Sequence, residues 1–206
     1  MPCSFPGDLS DESDTAPHWC SARSRSLFRL PKACPLIDII ASGPHHQPAI
    51  EALLDERFGP ARRNRTAYRL REHAGVLADF SVVAVDGDSV VGSLQCWPIR
   101  LKSVSGSRLP MILLGPVAVA AQREGQGIGS LMMRASLAAI DAANSPPVLL
   151  IGDAPYYGRF GFAAAATRHW ELPGPVDHHR LLLRGPTTGL PRIAWVEPAS
   201  RTAKVA

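Results

Sequence analysis

From residue 36 onward, hydrophobic positions recur in short runs whose spacing changes from one segment to the next. The run LIDIIA at 36–41 predicts a first strand because it is short and apolar. The segment QPAIEALLDERF at 47–58 predicts a helix, with Pro48 suited to its first turn. The apolar positions that share one face of this helix are Ile50, Leu53, Leu54 and Phe58. The next segment, RTAYRLRE at 65–72, predicts a second and shorter helix.

The middle of the chain is rich in strand-forming residues and contains two breaks in that pattern. Two such runs flank Asp86-Gly87, which predicts a hairpin with its turn at this dipeptide. The run PMILLGPVAVA at 110–120 predicts a further strand. Because Pro116 has no N–H group for the ladder, this strand must be bulged or splayed at Gly115-Pro116.

A crossover follows the broken strand. Apolar residues at helical spacing predict a helix from about Ser130 to Ala143, and PPVLLIGD at 146–153 predicts a buried strand of the parallel type. A strand–helix–strand unit of this kind lays its two strands parallel. The segment APYYGRFG at 154–161 predicts a short helix closed by Gly161, and RHWELP and HRLLLRG predict two late strands.

Composition sets the limits of the domain. The 206 residues, 46% of them hydrophobic, suffice for one domain with a core. Residues 1–35 are rich in Ser, Pro and charge and show no helix or strand period, so we expect a disordered arm there. The folded domain is expected over 36–185, and a C-terminal strand or tail over 186–206. No transmembrane or secretory segment is evident, so a cytoplasmic location is expected.

The sequence favours neither a metal site nor a nucleic-acid surface. The four cysteines (Cys3, Cys20, Cys34 and Cys96) are irregularly spaced, which is typical of reduced thiols and not of zinc. The histidine pairs at 45–46 and 178–179 lie in turn-like segments and are expected to be exposed, so no metal is predicted. The net charge is only +4. The dense arginine run at 62–71 predicts a solvated helix face, with contact to an acidic substrate or to nucleic acid as less favoured alternatives.

A glycine-rich loop precedes the central helix. In EGQGIGSLMM at 124–133, three glycines stand where the helix begins, although glycine weakens a helix. Bare backbone at a helix N-terminus offers unpaired N–H groups and the positive end of the dipole, which suits a phosphate. The loop has no Gly-Lys-Ser/Thr, and Ser130 and Met132 occupy the positions where a dinucleotide-binding fingerprint needs its third glycine. Both standard nucleotide sites are therefore excluded.

The broken strand, this loop and the segment YYGRFGF at 156–162 together resemble the Gcn5-related N-acetyltransferase (GNAT) family. Members share an acyl-CoA loop Q/R-x-x-G-x-G/A, which matches 124–129 at Gly127 and Gly129, and a motif F-Y-x-x-x-G-F, which places the family tyrosine at Tyr157. The resemblance covers roughly 36–184. It implies a mixed α/β (α+β) fold whose mostly antiparallel sheet has a central parallel strand pair, splayed at a bulge and flanked by helices.

The resemblance also implies a function. It indicates an acetyl-CoA-dependent N-acetyltransferase that acts by direct attack of a primary amine, with a non-catalytic acyl-CoA sensor as the alternative. It implies Tyr157 as general acid toward the thiolate and the N–H of Val117 as donor to the oxyanion. The acceptor is expected to be a small-molecule or protein amine, with no membrane partner, and the protein a monomer or homodimer. The residues expected to bind acetyl-CoA are Val117, Ala118, Val119, Glu124, Gly125, Gln126, Gly127, Ile128, Gly129 and Ser130.

Several side chains keep more than one interpretation. Glu124 stands where the family has Gln or Arg, so either it points away from the phosphates or Arg123 compensates its charge. Tyr156 is expected in the aromatic core, and Asp153 is either a helix cap or a site residue. Capture of a neutral amine needs no general base. The candidates for one are Asp55, Glu56, His73 and Asp153.

Overall fold

The computed structural model describes residues 37–199 of the chain. The predicted disordered arm at 1–35 lies outside these residues, as do Cys3, Cys20 and Cys34 and the end of the predicted tail. No helix within 37–199 combines the length and apolarity needed to cross a bilayer. The helices are α1 (Gln47–Phe58), α2 (Thr66–Arg69), α3 (Ile128–Ala142) and α4 (Ala154–Tyr157). The strands are β1 (Ile37–Ala41), β2 (Val82–Asp86), β3 (Ser89–Ser103), β4 (Arg108–Val119), β5 (Val148–Ile151), β6 (Trp170–Glu171), β7 (Leu181–Arg184) and β8 (Ala194–Pro198).

These eight strands form one sheet. Its main path runs β1-β2-β3-β4-β5-β7, and β8 pairs with both β3 and β6. Among the described strands, the neighbours are antiparallel except for β4 with β5 and the short pair β6 with β8. The predicted fold class is confirmed, including its central parallel pair. Strand β8 falls within the segment 186–206.

Gly115-Pro116 interrupts β4 at the predicted place. The register between β3 and β4 shifts there, because Leu94 faces Val117 whereas Cys96 faces Leu114. On its other edge, β4 pairs with β5 at only two positions before the strands separate. These positions are Ile112, opposite Val148, and Leu113, opposite Leu149.

Two hydrophobic clusters lie on the two faces of the sheet. The larger cluster holds the buried faces of α1 and α3, and the smaller one surrounds the fully buried Trp170. Strand β4 contributes to both, since successive side chains of a strand point to opposite faces. Ile112 and Leu114 enter the larger cluster, and Met111 and Leu113 enter the smaller one. The broken strand is thus anchored on both faces just before it separates from β5.

Candidate active site

A cleft opens where β4 and β5 separate. Strand β4 continues to Val119, whereas β5 ends at Ile151. Beyond Leu113, the edge of β4 that faces β5 is left without a strand partner among the described residues. Backbone N–H and C=O groups on such an edge can pair with an extended ligand.

Two cavities flank this cleft. The loop cavity, of about 680 Å³, lies against the glycine-rich loop, and the arginine cavity, of about 640 Å³, lies against the segment around α2. Both volumes are within the usual range of small-molecule sites. Four residues line both cavities and so mark their junction: Phe58, Val117, Asp153 and Tyr157.

The glycine-rich loop bends the chain into α3. Gly125 and Gly127 have φ angles of 76° and 77°, which favour glycine over residues with a Cβ. A Cβ built on either glycine would meet no protein atom within 4 Å. Gly127 is the N-cap, so α3 begins at Ile128, earlier than the predicted start at Ser130. Within residues 37–199 no side chain caps this helix, and its first N–H groups therefore stay available at the loop cavity.

The loop cavity brings together most of the residues expected to bind acetyl-CoA. The loop from Glu124 to Ser130 and the end of β4 form its wall, with the exception of Gln126. Gln126 is exposed, and its side-chain amide nitrogen lies 3.5 Å from the carbonyl oxygen of Gln122. The side chain of Gln126 thus turns back along the loop instead of lining the cavity.

The charge of Glu124 is balanced by a residue that the sequence did not indicate. Glu124 forms an ion pair with Arg57, in the last turn of α1. Arg123, which one of the two alternatives for Glu124 named as the compensating residue, pairs with Asp86 at the β2–β3 hairpin instead. Compensation therefore comes from Arg57 and not from Arg123.

Tyr157 lies at the junction of the two cavities. Its ring packs onto Gly152, so closely that a Cβ at that glycine would lie 2.2 Å from Cε2 of the ring. Edge contacts with Tyr156 and Phe162 fix the ring further, with centroids 4.8 and 6.2 Å away. Burial raises the pKa of Tyr157 to about 12. The hydroxyl is therefore protonated at neutral pH and can act as a hydrogen-bond donor.

Tyr156 reaches the loop cavity from the same short helix. It was expected in the aromatic core, but it is half-buried and lines the cavity. Its hydroxyl oxygen is 3.1 Å from the position of a Cβ on Gly129. Arg159 stacks over the Tyr156 ring at 4.0 Å from its centroid and donates to the Ser130 hydroxyl at 3.1 Å.

Asp153 is the general-base candidate that the structure brings to the cleft. Asp153 is the N-cap residue of α4, but its side chain accepts no capping hydrogen bond; its backbone carbonyl accepts the N–H groups of Tyr156 and Tyr157. The carboxylate is exposed and lies 3.4 Å from Arg180. Among the other candidates, Asp55 is engaged by a hydrogen bond from Arg62, which lowers the pKa of its carboxyl group. The two candidates that are exposed and line neither cavity are Glu56 and His73.

The arginine cavity corrects the expectation of a solvated helix face at 62–71. Arg62 is 1% exposed, donates to Asp55 at 2.8 Å and forms an ion pair with Glu51. Arg71 packs against two aromatic rings, at 4.3 Å from the centroid of Tyr68 and 5.5 Å from that of Trp97. The run winds through short turns instead of one helix, so its guanidinium groups point in different directions and two of them enter the fold.

The other reactive side chains lie away from the cavities. His45, His178 and His179 are exposed, and His46 accepts the N–H of Gly43 at 3.0 Å. Cys96 is buried, and burial raises the pKa of its thiol to about 11. Within residues 37–199, no three His, Cys, Asp or Glu side chains come together as metal ligands would.

The roles of Arg57 and Gly152 and the burial of Arg62 were not predicted from the sequence. Only the burial of Arg62 has a signal in the sequence that could have indicated it. Glu51 and Asp55 are spaced i, i+4 and so share a helix face, and an arginine that follows soon after the helix can fold back onto them. Nothing in the sequence near Arg57 or Gly152 indicates partners that come from distant segments.

Comparison with known proteins agrees with this architecture. A family model described as the acetyltransferase (GNAT) domain matches residues 45–165. The chain is 30% identical over 145 residues to the uncharacterized N-acetyltransferase YhbS of Escherichia coli K12, which covers 70% of this chain and 78% of that protein. It is 31% identical over 123 residues to an uncharacterized N-acetyltransferase of Streptomyces avermitilis, covering 59% of this chain but only 29% of that protein.

Two solved structures have the same fold. The crystal structure of E. coli YhbS in complex with CoA aligns with a TM-score of 0.66 at 24% identity, over 82% of this chain and 93% of that one. A GNAT acetyltransferase from Brucella melitensis in complex with acetyl-CoA aligns with a TM-score of 0.50, also at 24% identity, over 73% of this chain and 97% of that chain. The family model matches more than half of the chain, and the E. coli relative is 30% identical over 70% of it. The chain therefore belongs to the GNAT N-acetyltransferase family.

Proposed function

We propose that this protein transfers an acetyl group from acetyl-CoA, held in the loop cavity, to a primary amine held in the arginine cavity. The observation that carries the proposal is the meeting of the two cavities at Val117 and Tyr157, beside the free edge of β4. A thioester that reaches this junction from one side and an amine from the other would have adjacent reacting atoms. Such positioning removes much of the entropic barrier to a two-substrate reaction.

The loop cavity fits the donor. Backbone N–H groups from Gly125 to Ser130 would bind the pyrophosphate, and the dipole of α3 adds about 0.3–1 kcal/mol. The free edge of β4 at Val117–Val119 would pair with the pantetheine amides. The E. coli relative was crystallised with CoA and the Brucella structure with acetyl-CoA, which supports the same donor here.

The reaction needs few protein groups. The neutral amine attacks the thioester carbonyl carbon, a C–N bond forms, and the N–H of Val117 donates to the developing oxyanion. The C–S bond then breaks with its electron pair on sulfur, and the Tyr157 hydroxyl gives its proton to the thiolate. The surplus proton of the acetylated nitrogen leaves to solvent, and Tyr157 takes a proton back from water.

Asp153 is the group best placed to accept the amine proton. It lines both cavities, and its exposure lets it exchange protons with solvent. Its carboxylate lies 3.4 Å from the guanidinium of Arg180, and both side chains of this ion pair are exposed. In this proposal Asp153 binds the ammonium form of the acceptor and passes its proton to solvent, which leaves the neutral amine to react.

Two measurements test the proposal. Acetyl-CoA at one hundred times its Kd should stabilise the folded protein by about 2.7 kcal/mol and thereby raise Tm. NAD and ATP should raise Tm distinctly less. Thiol release from acetyl-CoA across a panel of amines then separates an enzyme from a sensor. Absence of any Tm shift at millimolar acetyl-CoA would contradict donor binding. A shift without turnover of any amine would favour the sensor.

A further inference from the structure

The wall of the arginine cavity carries more positive than negative side chains. The cations in this wall are Arg62, Arg65, Arg71 and Arg180, and the anions are Asp153 and Asp177. Arg62 forms ion pairs with Glu51 and Asp55 of α1, and the exposed Arg180 lies 3.4 Å from Asp153. The carboxylate of Asp177 accepts the backbone N–H of His179 at 2.9 Å, in the turn that it caps.

Arg71 is half-buried and, within residues 37–199, has no carboxylate partner. Its Nε is buried without a hydrogen-bond partner, and its neighbours are the faces of Tyr68 and Trp97. Burial lowers the pKa of Arg71 to about 10. A guanidinium that is partly removed from water and has no carboxylate partner is unfavourable, so an anion that enters the cavity would be favoured beside it.

We propose that the acceptor is a small amine that also bears a carboxylate, and that Arg71 binds this carboxylate. The inference rests on the proposed function, since it concerns the second substrate of the same reaction. A carboxylate is the group whose two oxygens match a guanidinium in a paired geometry. The charged side chains that line the cavity then suit a zwitterion. Arg71 would bind its carboxylate, and Asp153, at the junction of the cavities, would bind its ammonium group. Free amino acids have this chemistry.

The substrate side of the inference can be tested without any variant. Each of the common amino acids and its carboxamide are compared in the thiol-release assay, with acetyl-CoA saturating. For the best acceptor, kcat/KM should be about 10- to 100-fold higher for the acid than for the amide, because a charged hydrogen-bonded pair is lost in the amide. Equal or better turnover of the amides, or no turnover of any acid, would overturn the inference.

The protein side uses a matched set of arginine variants. Arg71→Met should raise KM for the acid, leave kcat within a few-fold, and erase the preference of acid over amide. Arg71→Lys should keep part of that preference, because lysine keeps the positive charge but lacks the paired N–H donors of the guanidinium. Arg134→Met is the control, because Arg134 is exposed on α3 and lines neither cavity. The preference of Arg134→Met for the acid over the amide should equal that of the wild type.

Failure of this inference differs from failure of the proposed function. The Tm shift with acetyl-CoA should be the same in the Arg71 variants as in the wild type, because Arg71 does not line the loop cavity. Loss of acid preference with a normal shift supports the role of Arg71. An unchanged preference in folded Arg71→Met would refute it, while acetyl-CoA binding would still support the GNAT reaction.

Discussion

Gly152→Ala should displace Tyr157 and reduce catalysis more than binding. The new methyl carbon would lie 2.2 Å from Cε2 and 2.7 Å from Cδ2 of the ring, and 3.2 Å from Cδ1 of Leu150. Carbon atoms in contact are normally about 3.5–4.0 Å apart. The ring must therefore move by more than about 1 Å from its place at the junction of the cavities. Gly152 does not have a positive φ, so alanine adds no backbone strain and the effect is steric.

The size of the effect follows from this displacement. Overpacking of a buried site costs about 1–3 kcal/mol, which in a domain of this size lowers Tm by roughly 2–12 °C. A misplacement of about 1 Å at reacting groups lowers the rate by about 10²-fold. We expect kcat to fall by that amount while Kd for acetyl-CoA, measured by titration calorimetry, changes by only a few-fold.

Two further variants isolate the clash. Gly158→Ala is the matched control, because this glycine has helical angles (φ −56°, ψ −34°) and a Cβ there would meet nothing within 4 Å. It should leave both Tm and kcat unchanged. The double variant Gly152→Ala/Tyr157→Ala should lose less stability than the sum of the two single changes, since the clash is then absent. Unchanged Tm and kcat in Gly152→Ala, or strict additivity in the double variant, would refute the argument.

Four other outcomes are expected. Gly127→Val should abolish CoA binding in calorimetry while circular dichroism still shows a folded domain, because the side chain resists φ 77° and fills the phosphate side of the loop. Tyr157→Phe should lower kcat by roughly 10²-fold with CoA affinity retained, and Tyr156→Phe should be nearly silent in the same assay. Since burial raises the pKa of Tyr157 to about 12, the acid form persists as pH rises, and kcat should show no decline caused by this group between about pH 7 and 10. Arg62→Met should lower the free energy of unfolding in urea by about 1–3 kcal/mol, whereas Arg63→Met, half-exposed in the same network, should cost less than about 1 kcal/mol.

Features that obey local rules were predictable from the sequence. Pro116 cannot donate to a ladder, so the break in β4 follows from the residue itself. The same holds for the turn beside Gly87 and for the apolar face of α1, where Ile50 and Leu54 are fully buried. The parallel pairing of β4 with β5 followed from the crossover between them. In each case the information lies within a few residues of the feature.

Features that depend on distant segments were not predictable in the same way. The pattern at 62–71 is polar and dense, which by itself favours solvent. Its burial depends on the acids of α1, which neutralise Arg62, and on Trp97, which comes from β3. Gly152 was overlooked for a related reason, because its small size matters only once the Tyr157 ring lies across it. Ring position depends on the turn into α4, which no periodicity describes.

Helix α1 gives a physical reason why an acid can be tolerated in the glycine-rich loop. A carboxylate at Glu124 would repel a pyrophosphate, which by itself favours the sensor alternative over an enzyme. Its ion pair with Arg57 is largely exposed, at 28% and 58% of the two side chains, so it contributes less than about 1 kcal/mol to stability. The ion pair matters more for the electrostatic potential at the loop. Because the pair adds no net charge there, the dipole of α3 can still attract an anion. The earlier turns of the same helix hold Arg62 in the wall of the arginine cavity. One helix thereby sets the charge on both sides of the junction, and the acid in the loop is no argument against acetyl transfer.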